Sequence, residues 1–244
     1  MKKVIAVLII AFLPIFATAH GDVPDLGVEP GNVPGTSTYI FERIGEWLLV
    51  NLFTISTKAK QERYLNLATE RVAEMEALLI TPNVDEKDLK VAVNRYQSLI
   101  GQAEDMAEKI VFLDGHQIAV AEAVENKTWI HEQVLSESLE TANSKFSLIL
   151  HEAIAAARTQ NKKSFIFMVE KYTANQDDID KYGMIVRQQV GFVHSRQLLT
   201  VGDKDRAKEI ENLLKESLKF VDAGQNAQAY NLLDQAKDIL YSVK

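Results

Sequence analysis

The sequence predicts an all-α fold, an elongated bundle of long antiparallel helices with short helical hairpins at its C-terminal end. Three observations carry that expectation. After residue 35 only Pro82 interrupts the chain, whereas a β-rich fold of this length would need many more turn residues. From Tyr39 onward apolar residues recur at alternating steps of three and four, the spacing of one helix face. Hydrophobic residues make up 47% and charged residues 25%, the balance of a globular chain and not of a disordered one. Cysteine is absent, so a helical core of this size has to hold itself without disulfides.

The first 19 residues read as an export signal, with a basic start at Lys2-Lys3, an apolar run through Phe16, and an Ala17-Thr18-Ala19 cleavage site. The apolar run includes Pro14 and falls short of the roughly 18 residues of a spanning helix. The expected location is therefore periplasmic or extracellular. Residues 20–36, rich in Gly and Pro, read as a flexible leader that adds nothing to folding. Residues 37–114 then form an N-terminal helical region, with a C-terminal region, 115–244, packed on it.

Each helix has its own justification. Tyr39 to Phe53 is strongly apolar, with Ile40, Phe41, Ile44, Trp47, Leu48 and Leu52, and Trp47 reads as a packing residue, as does Trp129. Thr57 is placed to cap a second helix from Lys58 to Ile80. Tyr64, Ala68, Val72, Met75 and Leu79 form its stripe, with Glu62, Arg63, Glu70 and Glu74 at the sides. Pro82 stops it and Asp85 caps a third helix, Glu86 to Leu113. A single long helix is expected from His116 to Thr159, because Leu135, Leu139, Ala142, Phe146, Ile149, Ala153 and Ala157 keep a coiled-coil alternation. A short helix follows over Lys162 to Tyr172. Three more run over Asp177–Thr200, Asp203–Asp222 and Asn226–Val243, with Val201-Gly202 and Ala223-Gly224 between them and Asp203 as a cap. The last pair reads as a generic helical hairpin, since its spacing does not recur as a repeat.

Function is bounded mainly by exclusion. Without Lys2 and Lys3, the 27 basic residues become 25 against 34 acidic ones, a net charge of about −9. That balance disfavours nucleic acid and an anionic membrane alike. Among the five histidines, His116, His131, His151 and His194 have no Asp, Glu or His three or four residues away, the offsets at which two ligands on one helix share a metal. They read as partly exposed surface residues. His20 could chelate copper as a new N-terminus, but a floppy leader gives it no rigid partner. The stretch Asp178 to Gln189 imitates a calcium loop, yet Tyr182 and Gln189 stand where oxygen ligands are required. It reads instead as a helix start with acidic residues complementing the dipole. Phosphate-binding, zinc-protease and serine-hydrolase signatures are missing from the sequence. Carboxylate pairs such as Glu104 and Glu108 read as solvated. No catalytic, cofactor or metal site is expected.

One residue pair stands out. Arg71 flanks the second helix's stripe, so its stem should lie on the first helix and its guanidinium should reach a carboxylate there. Glu46 is the expected partner, in a structural ion pair. The competing reading makes Arg71 a site for an anionic ligand, but no second basic residue is expected to converge on it.

The stretch from Pro34-Gly35 to Leu79 resembles the domain of unknown function 5667, a family of exported bacterial and archaeal helical proteins. The residues that carry the resemblance are Tyr39, Arg43, Glu46, Thr54, Lys58, Ala59, Leu67, Ala68, Arg71 and Glu74, with Tyr96 as the aromatic of the third helix. Val72 and Trp47 depart from the pattern without upsetting a helical pair. The resemblance implies fold and export and brings no activity with it. Two functions remain as expectations: a non-enzymatic binding or scaffolding module of the cell envelope with a protein partner, or a periplasmic metal-binding helical protein.

Overall fold

The computed structural model describes residues 24–111 and 117–242, all of whose regular elements are helical. Helix α1 (Tyr39–Leu48) runs into a single π-helical turn, Leu49–Phe53. It is followed by α2 (Thr57–Ile80), α3 (Glu86–Val111), α4 (Gln117–Thr141), α5 (Ser144–Tyr172), α6 (Gln176–Thr200), α7 (Lys204–Asp222) and α8 (Asn226–Tyr241). Residues 1–19, read as an export signal, and His20 lie outside the described residues, and so does His116.

Start signals account for most boundaries. The side chain of Ser56, and not Thr57, caps α2 by accepting from the Ala59 amide at 3.0 Å. Asp85 accepts from the Lys87 amide, and Asp203 from those of Asp205 and Arg206. Asn175 caps α6. The Asp178–Gln189 stretch therefore lies inside a continuous helix, where successive side chains fan outward and do not wrap one ion.

The long fourth helix of the sequence reading is two helices. The chain turns back at Ala142-Asn143, and Asn143 accepts hydrogen bonds from the Lys145 and Phe146 amides. The apolar alternation survives the turn because both arms bury it in the same core: Leu135, Phe146, Ile149, Ala153 and Ala157 are all buried there. The expected short helix at 162–172 is simply the end of α5. Asn143→Ala should cost about 1 kcal/mol through loss of the cap, and Asn143→Gly only a few tenths. Thermal denaturation of the two variants side by side checks this.

Two buried clusters divide the interior. The first is built from α2, α3, α4 and the first half of α5, around Leu67, Met75, Leu89, Leu99 and Leu150. The second gathers the end of α5 with α6, α7 and α8, around Phe165, Tyr182, Val193, Ile210 and Tyr230. Helix α5 contributes to both, so each core is anchored on one rigid element.

From residue 24 the leader is engaged with the body. Leu26 and Val33 pack against the first core, and Pro34 is buried. The Asn32 amide donates to Glu42 at 2.7 Å, and Gly35 adopts φ +91°. A β-carbon at Gly35 would sit 2.7 Å from the Asp88 carboxylate, so only glycine fits this entry without displacing it.

Candidate functional site

Helix α1 packs inside out. Its buried residues are Tyr39 and Glu46, while Ile40, Phe41, Ile44 and Trp47 face outward. Phe41 is 75% exposed and Trp47 57%, so Trp47 is no packing residue. The exposed ridge continues through Leu49, Leu52, Phe53 and Ile55, the last at 94%. An amphipathic helix ordinarily turns its apolar stripe to the core; here polar chemistry on the inner face reverses that.

The inner face is a charge cluster on Arg71, whose side chain is fully buried. One nitrogen, Nη2, donates to Glu46 Oε1 at 2.7 Å and lies 2.8 Å from Glu74 Oε1. Glu70 and Glu42 approach the same nitrogen at 3.6 and 3.7 Å. The spacing is simple: Glu42 and Glu46 sit one turn apart on α1, and Glu70 and Glu74 one turn apart on α2 with Arg71 beside them. The Arg71 guanidinium also lies 5.9 Å from the centre of the Tyr39 ring. Arg95 of α3 comes within 3.7 Å of Glu46 Oε2, so a second basic residue does converge here, contrary to the sequence reading. Glu74, expected at the side of the stripe, is fully buried.

Burial raises the Glu74 carboxyl from its ordinary 4.5 to about 8; Arg71 opposes the shift, and Glu42, Glu46 and Glu70 add to it. Burial likewise holds Glu125 at about 7. A carboxyl raised in the folded state stabilises the fold while it is protonated, and that contribution is lost as pH rises through the folded value. Stability should therefore fall as pH rises from about 4.5 to about 8, and Glu74→Gln should flatten part of the fall. Urea melts across that range read it, and an unchanged slope in Glu74→Gln would refute the assignment.

Tyr39, Glu46, Arg71 and Glu74 of this cluster are residues that carry the resemblance, whereas Glu42, Glu70 and Arg95 are not. Residues 31–145 match a family model described as Domain of unknown function (DUF5667). The DUF5667 match spans α1 to α4 and the turn into α5. Of the pattern residues, Tyr39, Glu46, Arg71 and Glu74 meet in the cluster, while Tyr96 lies in the core. No curated protein and no solved structure matches the chain.

Outside the cluster, Ile40, Arg43, Ile44, Trp47 and Arg95 line a shallow groove of about 330 Å³. Arg95 thus has two faces, one toward Glu46 and one toward the groove. Within the cluster, oxygens of Glu42, Glu46 and Glu70 lie within 4.8 Å of one another, a spacing that could hold a metal ion. Arg71 Nη2 sits within 3.7 Å of all three, so a guanidinium fills the cationic role there.

A second polar layer joins α4, α5, α6 and α8, and nothing in the sequence singled it out. Lys237, almost fully buried, donates to Glu132 Oε2 at 2.7 Å and Gln189 Oε1 at 2.8 Å, and lies 4.7 Å from the centre of the Trp129 ring. Gln189 donates to Glu125 and Asn161, and Tyr230 donates to Asn161. The Gln at position twelve of the supposed calcium loop is thus a core residue.

His131 is likewise fully buried and not a surface residue. Thr69 donates its only hydroxyl proton to the Leu65 carbonyl, so it accepts from His131 Nε2 at 2.9 Å. That leaves Nδ1 to accept from the Tyr96 hydroxyl at 3.2 Å. Burial lowers this imidazole to about 3, so it is neutral at physiological pH. Glu104, expected to be solvated, receives Gln160 and Lys163; the side chain of Glu108 lies outside the described residues.

Proposed function

We propose that the protein is an exported, non-enzymatic binding module of the cell envelope or extracellular space, and that it binds through the ridge on α1 and the π turn. The observation that carries the reading is the inside-out packing of α1. Eight large apolar side chains between Ile40 and Ile55 stand in solvent, more apolar surface in one short segment than soluble monomers ordinarily leave uncovered. The inner charge cluster keeps that ridge outward, since α1 can turn inward only by breaking the Arg71–Glu46 contact. Export is supported by the basic start, apolar run and Ala-x-Ala site of residues 1–19. Among the described residues no helix is long and apolar enough to cross a membrane.

The reading is tested by replacing Phe41, Trp47 and Phe53 together with serine and comparing the parent and the variant as baits on envelope fractions. With helicity unchanged, the variant should lose components that the parent retains. Identical capture by both would remove the ridge from consideration.

A second reading, metal binding, is supported by the spacing of Glu42, Glu46 and Glu70. A metal would have to displace Arg71 from them. Native mass spectrometry with Cu²⁺, Zn²⁺ and Ca²⁺ decides this: a stoichiometric adduct lost in Glu70→Gln would favour it over the first reading.

A further inference from the structure

We propose that the α1 ridge seats on the surface of an anionic lipid bilayer, with Arg43 and Arg95 contacting the headgroups; the proposal rests on the reading of this ridge as the binding surface. Its first support is charge complementarity. The groove on the ridge is lined by three apolar side chains, Ile40, Ile44 and Trp47, and by two arginines, with no carboxylate among the lining residues. Arg43 is exposed, and among the described residues no carboxylate lies within ion-pair distance of it. Its guanidinium lies 5.8 Å from the centre of the Tyr39 ring, which steadies the side chain at the edge of the ridge.

A chain with net charge −7 is repelled as a whole by anionic lipid. That is the basis on which the sequence argued against a membrane, and it treats the charge as evenly spread. The structure instead places the groove arginines beside the apolar ridge, so one face can approach a surface that the remainder is held away from.

The make-up of the ridge fits an interface. Trp47, Phe41 and Phe53 are exposed together with Ile40, Ile44, Leu52 and Ile55. This is the pattern of helices that lie in the headgroup region, aromatic and aliphatic on one side with cationic side chains at the margin. Arginine suits the margin because its stem follows apolar surface while its head stays with the phosphates. Pairing with a second copy is less well answered: a two-fold apposition of identical ridges brings the arginines of both copies to one interface, and no groove-lining carboxylate offsets them.

The test follows Trp47 itself, so that residues 1–19 can remain in place. In full-length chain carrying Trp129→Phe, Trp47 is the single tryptophan. Its emission is recorded with vesicles of phosphatidylcholine and phosphatidylglycerol in equal parts, with phosphatidylcholine alone, and without lipid over a concentration series. The expected result is a blue shift and quenching by brominated acyl chains in the anionic vesicles. Loss of iodide quenching should accompany it, and the response should be at least tenfold weaker in neutral vesicles. Arg43→Glu should abolish the response while leaving helicity intact. Emission that ignores the anionic vesicles overturns the proposal, as does an equal response to neutral ones. If Trp47 becomes protected without lipid as protein concentration rises, the ridge pairs with a second copy: the lipid proposal fails and the ridge remains a binding surface. If Trp47 stays open to iodide in every arm and ridge variants capture the same envelope components as the parent, both readings fail.

Discussion

Replacing Arg71 by alanine is expected to cost about 3–5 kcal/mol of folding stability, because it takes the nearest counter-charge from the buried Glu46 carboxylate and leaves it only Arg95, at 3.7 Å. Glu46 and Glu74 are both buried, and both lie within 2.8 Å of the Arg71 nitrogen that would vanish. In a chain of this length, a loss of that size lowers the melting temperature by roughly 6–20 °C. Glu46→Ala should cost less, since Glu74 still faces the guanidinium. The double variant should lose less than the sum, with a coupling of about 1–3 kcal/mol for residues in direct contact. Urea denaturation of the four proteins measures the cycle, and a coupling near zero would dissolve the pair. Arg71→Ala with unchanged stability would return the residue to the ligand reading. That reading faces a physical obstacle, because an anion at Arg71 would have to displace four glutamates already gathered there.

The Arg71 cluster also shows where sequence reasoning works and where it stops. A stem lying beside an apolar stripe requires an answer to its charge, and Glu46 was the nearest acidic residue on the neighbouring helix. That logic reaches the 2.7 Å contact. It did not reach the polarity of α1, because periodicity shows that a helix has an apolar face without showing which way the face points. The available cue was the pairing of Glu42 with Glu46 and of Glu70 with Glu74, each one turn apart, around an arginine. A similar ambiguity hid the α4–α5 turn. No glycine or proline marks it, and the apolar alternation runs through it undisturbed; only Asn143, a strong capping residue, betrays the break. The family pattern pointed to the right residues for a different reason. Tyr39 and Glu46 on α1 lie 25 residues or more from Arg71 and Glu74 on α2, yet together they are groups that hold α1 to the body.

The second polar layer lay beyond any local pattern, since Lys237 and Glu132 are 105 residues apart. Its prediction is correspondingly sharp. Lys237→Met keeps most of the apolar stem and removes the ammonium, so the loss combines the Glu132 ion pair with the hydrogen bond to Gln189 and the contact with Trp129. Glu132 is fully buried and its Oε1 accepts no hydrogen bond, so without Lys237 the carboxylate has no adequate partner. Removing one member of such a pair should cost about 3–5 kcal/mol, whereas replacing both by apolar residues of similar volume is often neutral. Lys237→Met combined with Glu132→Leu should therefore recover most of the stability that Lys237→Met loses. Urea melts of the parent, the single variant and the double variant give the comparison. A Lys237→Met penalty that is absent would show that Glu132 finds another counter-charge within the bundle.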